Sequence, residues 1–293
     1  SLTFFLLRLI PGGPFDDGDY LPEHTKKQLE ATYGLDRPLW EQYCKWLGDV
    51  AQGDLHASLQ YPEMRVTEIL IPAAIVSLKI GGVGLLLSLT LGIGLAIVGV
   101  WSDWKKIPVV GRMIRFLILS FLSMPSYVIA TLLILVFSFR LKWLPAAFLE
   151  SEWSYLLPII AISLKPAALF ARYLSASLLE ILGQDFIRTA KSKGVGDLCI
   201  VAKHAMRNSL LSLIAIVGSV SAHLLTGSVV VETIFQIPGM GKYFIQSVLS
   251  RDYTLAIGAT LILGAIIILA NLIADLILLL VDPRVSFSSR LAK

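Results

Sequence analysis

The sequence predicts an all-α membrane protein with six transmembrane helices, the first of them truncated. Apolar residues make up 56% of the 293 positions and charged residues only 16%, whereas soluble domains usually carry about 25% charged residues. The apolar residues are clustered in long runs, and the Lys and Arg content of the polar segments between those runs alternates along the chain. Clustering and alternation together are typical of a multi-pass helical membrane protein.

Five apolar runs are each near or above the length that crosses a membrane, which is about 20 residues for a helix. The runs are residues 69–101, 116–139, 155–171, 209–231 and 253–281. Proline removes a backbone donor, so we expect kinks at Pro125 in the third helix and at Pro158 and Pro166 in the fourth.

The first ten residues, SLTFFLLRLI, are mainly apolar but too few to span a membrane. The sequence starts with Ser1 rather than Met, and no small-residue cleavage site follows. We therefore interpret residues 1–10 as the remnant of a first spanning helix. The alternative is a short interfacial segment.

The distribution of basic residues predicts the orientation. Segments 103–115, 172–207 and 284–293 together hold 13 Lys and Arg residues, whereas segment 11–68, of nearly the same total length, holds five. Loops rich in Lys and Arg stay in the cytoplasm. We therefore expect 11–68 outside the cell, the loop 172–208 and the C-terminus inside, and a core permease domain over 69–293. The excess of basic residues then reflects anchoring at the membrane lipid, and no nucleic-acid partner is expected.

The external segment 11–68 is predicted to contain two amphipathic helices, over residues 22–33 and 39–50. The second carries Trp40, Tyr43 and Trp46. Aromatic rings favour the membrane–water boundary, so this set fits a lid on the outer interface. It fits the core of a small external cap equally well.

No catalytic or metal-ligating motif occurs in the chain. There is no H-E-x-x-H and no G-x-S-x-G, and the four histidines are scattered over both sides of the membrane and within it. We therefore expect no enzyme activity, no metal and no cofactor in this chain.

Ionisable residues inside apolar runs are costly, so they are functional candidates. Lys165 lies near the middle of the fourth helix, His223 in the fifth and Asp275 in the sixth, while Lys79 in the second helix can extend towards the interface. A buried ion pair with Asp275 and a water-filled translocation pathway would each satisfy Lys165. Lys165, His223 and Asp275 are thus possible pathway residues.

Small residues recur at every fourth position of the second helix, at Gly84, Ser88, Gly92 and Ala96. Such a stripe lets two membrane helices approach backbone to backbone. Static packing and a moving helix–helix contact both fit this pattern.

The loop 172–208 contains the stretch DFIRTAKSKG at 185–194. Leu178, Leu182, Phe186 and Ala190 recur at i+4 and predict one amphipathic helix over 178–193. Gly194 follows a basic last turn, as a glycine terminator does. Asp197 is positioned to cap a second helix over 198–207. Membrane anchoring needs only positive charge, so this pattern indicates a helix that docks on a cytoplasmic partner.

These residues also carry a resemblance. The stretch DFIRTAKSKGVGDLCIVAKHAMRNSLL resembles the loop by which permease subunits of ABC importers contact their ATPases, with Arg188, Thr189, Ala190 and Gly194 at the places of the family's Glu-Ala-Ala and Gly. Ser212 stands in the region where the family usually has a proline, so we expect a less kinked fifth helix. Further stretches agree in order, and the external ones are most similar to B-type oligopeptide permeases. They are RLIPGGPF (8–15), LPEHTKKQLEATYGLDRPLWEQY (21–43), GDLHASL (53–59), GSVVVETIFQIPGMGKYFIQSVLSRDY (227–253) and DPR (282–284).

The resemblance implies a type I ABC importer permease in a bacterial cytoplasmic membrane. It implies a second homologous permease, two cytoplasmic ATPases that bind ATP and Mg²⁺, and an extracytoplasmic peptide-binding protein. Phe186 and Ala190 would insert into the ATPase, Arg188 and Lys191 would hydrogen-bond it, and Gly194 would fix the turn. The full set of coupling residues would be Asp185, Phe186, Ile187, Arg188, Thr189, Ala190, Lys191 and Gly194.

Oligopeptides are the expected substrate, but importers of dipeptides, nickel or glutathione share these motifs. An ion-coupled secondary transporter is the alternative from a different class. It would need no ATPase, so co-purification of ATPase subunits distinguishes the two.

Overall fold

The computed structural model describes residues 1–9, 12–15, 22–149 and 151–281. In this part of the chain the regular structure is helical, and an isolated antiparallel bridge joins Ala57 and Arg65. The α-helices are α1 (Leu2–Leu9), α2 (Glu23–Thr32), α3 (Leu39–Ala51), α4 (Val66–Trp104), α5 (Pro108–Ser123), α6 (Ser126–Leu133), α7 (Leu156–Leu182), α8 (Asp185–Ser192), α9 (Asp197–Cys199), α10 (Met206–Leu225), α11 (Val229–Ile234), α12 (Met240–Leu249) and α13 (Tyr253–Val281). A π-helix over Ile134–Arg140 continues α6, a 3₁₀ turn over Glu152–Tyr155 precedes α7, and a second π-helix over Ile200–Ala205 joins α9 to α10.

Four helical stretches of the described residues are long and apolar enough to cross a membrane. They are Val66–Trp104, Glu152–Leu182, Ile200–Ile234 and Tyr253–Val281. They confirm four of the five predicted spans. The stretch DPR (282–284) of the family resemblance and the basic C-terminal segment 284–293 lie outside the described residues.

The third predicted span, 116–139, is not one straight helix. Helix α5 ends at Ser123, the next helix begins at Ser126, and the two are bent by 107°. Pro125 has no backbone donor, and a residue before proline is disfavoured in the helical region. Met124 accordingly has an extended ψ of 128°. By contrast, Pro166 lies inside α7 without interrupting it.

The chain divides into two compact units. Unit 1 comprises Ser1–Val76 and Pro238–Ala265, and unit 2 comprises Ser77–Ile237 and Ile266–Lys293. The division of the chain at the membrane boundary, 11–68 against 69–293, remains a prediction.

Unit 1 has an aromatic core. The ring centroid of Phe4 lies 5.3 Å from that of Tyr43 and 5.5 Å from that of Trp46, and Tyr253 belongs to the same apolar cluster. Trp40, in contrast, is 69% exposed. Helices α2 and α3 confirm the two predicted amphipathic helices, and Tyr43 and Trp46 pack on the apolar core of unit 1. The position of this core outside the cell remains a prediction.

Asp252 joins the loop at Ser58 and Leu59 to the start of α13. Its side chain is fully buried and accepts a hydrogen bond from the hydroxyl of Ser58. It also accepts from the backbone N–H groups of Leu59 at 3.2 Å and Leu255 at 3.0 Å. The carboxylate therefore caps α13 and holds the loop against it, as expected for a buried charge whose hydrogen bonds are satisfied.

The core of unit 2 is formed by α4, α7 and α10. Its cluster includes Ala96 of α4, Phe170 of α7 and Leu213 of α10. A Cβ added at Gly92 would lie 2.8 Å from the carbonyl oxygen of Ala167 and 2.8 Å from Cβ of Phe170. The predicted small-residue stripe therefore packs α4 closely on α7.

Candidate coupling site

Helix α8 is a separate helix, which corrects the prediction of one continuous helix over 178–193. The backbone N–H of Gly183 donates to the carbonyl of Glu180 at 3.2 Å, which tightens the last turn of α7. Gln184 is then extended, with ψ 155°, and α8 begins at Asp185. Leu178 lies fully buried in the core of unit 2. It is therefore not part of the docking surface.

The two faces of α8 have different surroundings. Ile187 is 3% exposed, and Nζ of Lys191, one turn later, lies 5.5 Å from the ring centroid of Trp104 at the end of α4. Phe186 is 40% exposed and Thr189 is exposed, while Ala190 is half-buried. One face of α8 therefore packs on the chain itself, and the face with Phe186 is accessible.

Asp185 and Arg188 lie on the accessible side of α8. Oδ1 of Asp185 is 3.6 Å from Nη1 of Arg188, and both side chains are strongly exposed, at 95% and 78%. An exposed pair at this distance contributes little to stability, so both side chains are accessible to a partner.

The C-terminal end of α8 is a Schellman turn. Gly194 has φ +79°, in the left-handed region that favours glycine. Its N–H donates to the carbonyl of Lys191 at 3.0 Å, and the N–H of Val195 donates to the carbonyl of Ala190 at 3.2 Å. This pair of bonds defines the motif, and it confirms the predicted glycine stop.

Asp197 does not act as the predicted cap of a helix over 198–207. The helix begins at Asp197 itself, and its carboxylate accepts a hydrogen bond from Nζ of Lys105 at 2.6 Å. That hydrogen bond lowers the pKa of Asp197 below its ordinary value. The helical path continues through the π-helix into α10, where the hydroxyl of Ser212 lies 3.2 Å from that of Ser177.

The three predicted pathway residues lie on different helices. Lys165 is on α7, His223 on α10 and Asp275 on α13, and all three side chains are exposed. In the part of the chain that the structure describes, Lys165 and Asp275 form no ion pair. The buried-pair alternative is therefore wrong, and the pathway role remains a prediction.

Comparison with known proteins identifies the family. Residues 88–287 match the family of binding-protein-dependent transport system inner membrane components. A dipeptide transport system permease protein of Bacillus subtilis is 37% identical over 99% of this chain and 93% of its own length. An oligopeptide transport system permease protein of Haemophilus influenzae is 35% identical over 98% of this chain and 94% of its own length.

The chain belongs to this family of inner membrane transport components. The permease also shares its fold with a solved structure of the inward-facing MetNI methionine ABC transporter, with a TM-score of 0.63 and 17% identity over 73% of this chain and 96% of that chain. A second match is an amino acid ABC transporter with histidines, at a TM-score of 0.53 and 17% identity over 75% of this chain and 95% of that chain. The expected type I importer fold of a multi-pass membrane protein is confirmed.

Two interactions of the permease were not found from the sequence. Nζ of Lys79 lies 2.9 Å from the carboxylate of Glu152 and 3.9 Å from the ring centroid of Tyr155. Glu232 is 3% exposed and accepts a hydrogen bond from the hydroxyl of Ser77 at 2.8 Å. Each partner is more than 70 residues away in sequence, so no local pattern indicated either contact.

Proposed function

We propose that this permease is one of two transmembrane subunits of an ATP-driven importer of short peptides, with oligopeptides as the first candidate substrate. The support for peptides comes from relatives that are named dipeptide and oligopeptide permeases and that match 97–99% of this chain. The matches extend through the external segment, so the likeness is not limited to the membrane core.

The single observation that carries the coupling role is the form of α8. It is a short helix with an exposed Phe186, a Schellman turn at Gly194 and a buried Ile187 that anchors its other face. One face of α8 packs on the chain and the other is accessible. A movement that a partner imposes at the accessible face can therefore be transmitted to the helices on which α8 packs. We assign Phe186 and Ala190 to the contact with the ATPase, and Asp185, Arg188 and Thr189 to the polar rim of that contact.

The remaining partners follow from this role. ATP and Mg²⁺ would be bound and hydrolysed by two cytoplasmic ATPases, so this chain would need no cofactor. A homologous second permease would complete the membrane pathway, and a binding protein would deliver peptide to the external side. The basic loop 172–208 would lie in the cytoplasm and segment 11–68 outside, as the distribution of Lys and Arg predicts.

Reconstitution tests the proposal. The permease is co-expressed with its candidate second permease and ATPases, purified, and placed in liposomes that contain ATP, with the binding protein and a labelled oligopeptide outside. We expect uptake that requires both ATP and the binding protein. Uptake driven by an ion gradient in the absence of ATPases would contradict the proposal, and uptake of nickel but not of peptide would overturn the substrate.

A further inference from the structure

A cavity of about 300 Å³ lies within unit 1. This volume is at the lower end of the range for small-molecule sites, about 300–1,000 Å³. Its aromatic wall includes Phe4 of α1, Trp46 of α3 and Tyr253 of α13. Charged or titratable side chains also line the cavity, and they are Arg8, Arg37, Glu41, Lys45 and His56. The cavity therefore combines apolar surface with a few polar groups, as small-molecule sites commonly do.

Arg8 brings a positive charge to this cavity without a carboxylate partner. Its Nε donates to Oε1 of Gln42 at 3.1 Å, and its Nη1 donates to the carbonyl oxygen of Phe4 at 3.2 Å. Its Cζ lies 3.6 Å from the ring centroid of Phe4. The amide, the carbonyl and the ring carry no formal charge, and in the described part of the chain no carboxylate lies within ion-pair distance of Arg8. A guanidinium has five N–H donors, so donors remain for an anionic ligand.

Gln42 fixes the position of this guanidinium. Its Nε2 donates to the carbonyl oxygens of Leu35 at 3.0 Å and Arg37 at 2.8 Å. Because the amide nitrogen is held in this way, the amide presents its oxygen to Arg8. The guanidinium is thus oriented before a ligand binds, which lowers the entropic cost of binding.

Arg37, Lys45 and Glu41 add free charges to the lining. All three are exposed. Among the residues that the structure describes, their side chains form no ion pair, hydrogen bond or ring contact. His56, in contrast, has Nε2 3.1 Å from Oδ2 of Asp49. The described lining therefore offers cations without a carboxylate partner and a carboxylate without a cation, which suits a ligand with one anionic and one cationic end.

We propose that this cavity binds a short peptide with free termini, its C-terminal carboxylate on Arg8 and its ammonium group on Glu41. The planar guanidinium matches the geometry of a carboxylate, and Arg37 and Lys45 increase the attraction for that end. The ring of Trp46 would contact a side chain of the peptide. The proposal rests on the peptide substrate of the proposed function, and it gives the permease a peptide site of its own, apart from that of the binding protein.

Isothermal titration calorimetry tests this binding on the purified importer complex in detergent, without ATP and without the binding protein. The probes are the dipeptide alanyl-phenylalanine, its C-terminal amide and its N-acetyl form. We expect the free dipeptide to bind about tenfold more tightly than the amide, or better, which is the usual worth of a hydrogen bond to a charged group. The N-acetyl form should bind about twofold to fivefold more weakly than the free dipeptide, because Glu41 is exposed.

Variants assign these differences to residues. Arg8→Gln should remove the preference for the dipeptide over its amide. Glu41→Gln should weaken binding of the free dipeptide and leave that of the N-acetyl form unchanged. Arg8 also packs on Phe4, so its replacement can disturb the fold. The exposed Glu41 carries no such risk, and Glu41→Gln decides the matter if Arg8→Gln does not fold.

Lys27→Gln is the matched control. Lys27 is an exposed cation of α2 and does not line the cavity, so we expect unchanged affinity. Equal affinity for the dipeptide and its amide, or an equal loss in Lys27→Gln, would overturn the proposal. Absence of binding in a complex that still imports peptide with ATP would overturn this site and leave the proposed function intact. Dipeptide binding in a complex that imports no peptide would support the site and contradict the proposed substrate alone.

Discussion

Replacing Gly194 with valine tests the role of the turn that ends α8. Gly194 has φ +79°, and no atom lies within 4 Å of the position that an added Cβ would take. The cost of the substitution is therefore backbone strain without a clash. A left-handed conformation costs a residue with a side chain roughly 1–2 kcal/mol, and a β-branched residue is a genuine outlier there. A strain of about 2 kcal/mol lowers the equilibrium constant for forming the native turn about thirtyfold.

The consequence is measured in proteoliposomes as peptide imported per ATP hydrolysed. We expect Gly194→Val to retain ATP hydrolysis while uptake falls, because α8 no longer ends in the geometry that orients it. Gly194→Asn should keep most of the coupling, since asparagine tolerates the left-handed region. Gly196→Ala is the control, because Gly196 has φ −66° and open space around it. A wild-type ratio of uptake to hydrolysis in Gly194→Val would refute the role of the turn.

Three further predictions concern other parts of the chain. Asp252→Ala should lower the free energy of unfolding, because it leaves buried donors unsatisfied at roughly 1–3 kcal/mol each, whereas Glu63→Ala at an exposed site should have little effect on unfolding measured in the same way. Asp197→Asn should lower the melting temperature at neutral pH, because it removes the ion pair with Lys105. The difference in melting temperature between Asp197→Asn and the wild type should vanish as the pH falls below the ordinary Asp pKa of 3.8. A group with a lowered pKa stabilises the folded state only while its carboxylate is ionised. Lys165→Leu should impair uptake at normal membrane levels if Lys165 lines the pathway, and unchanged uptake would exclude that role.

Local patterns predicted the spans and the glycine stop. Hydropathy is a property of consecutive residues, so the sequence alone predicted four of the spans. Gly194 follows a basic last turn, and this position predicted the left-handed backbone conformation that ends α8. The break between α7 and α8 was missed because Leu182 and Phe186 keep the i+4 spacing across it. Gly183, at the end of α7, is the residue in the sequence that could have indicated this break.

Contacts between distant residues could not be predicted in this way. Asp197 was expected to cap a helix, since its position before a helical stretch fits that role, but Lys105 lies 92 residues earlier and binds its carboxylate. Pro125 predicted a kink, and the chain changes direction by 107° at that point, an angle that the presence of a proline does not specify. The sequence therefore predicted the glycine stop of α8 better than it predicted the contacts of the residues around it.

Site-directed cross-linking tests the central claim that α8 docks on an ATPase through its exposed face. Cys44 and Cys199 are both exposed, so they are first replaced by serine. A single cysteine is then introduced as Phe186→Cys or, as the matched control on the buried face, Ile187→Cys, and the importer complex is treated with a short bifunctional thiol reagent. We expect Phe186→Cys to cross-link to an ATPase bearing a surface cysteine at the contact, and Ile187→Cys to give no product. Cross-linking from Ile187→Cys alone, or from neither variant in an intact complex, would contradict the assignment of α8 as the coupling helix.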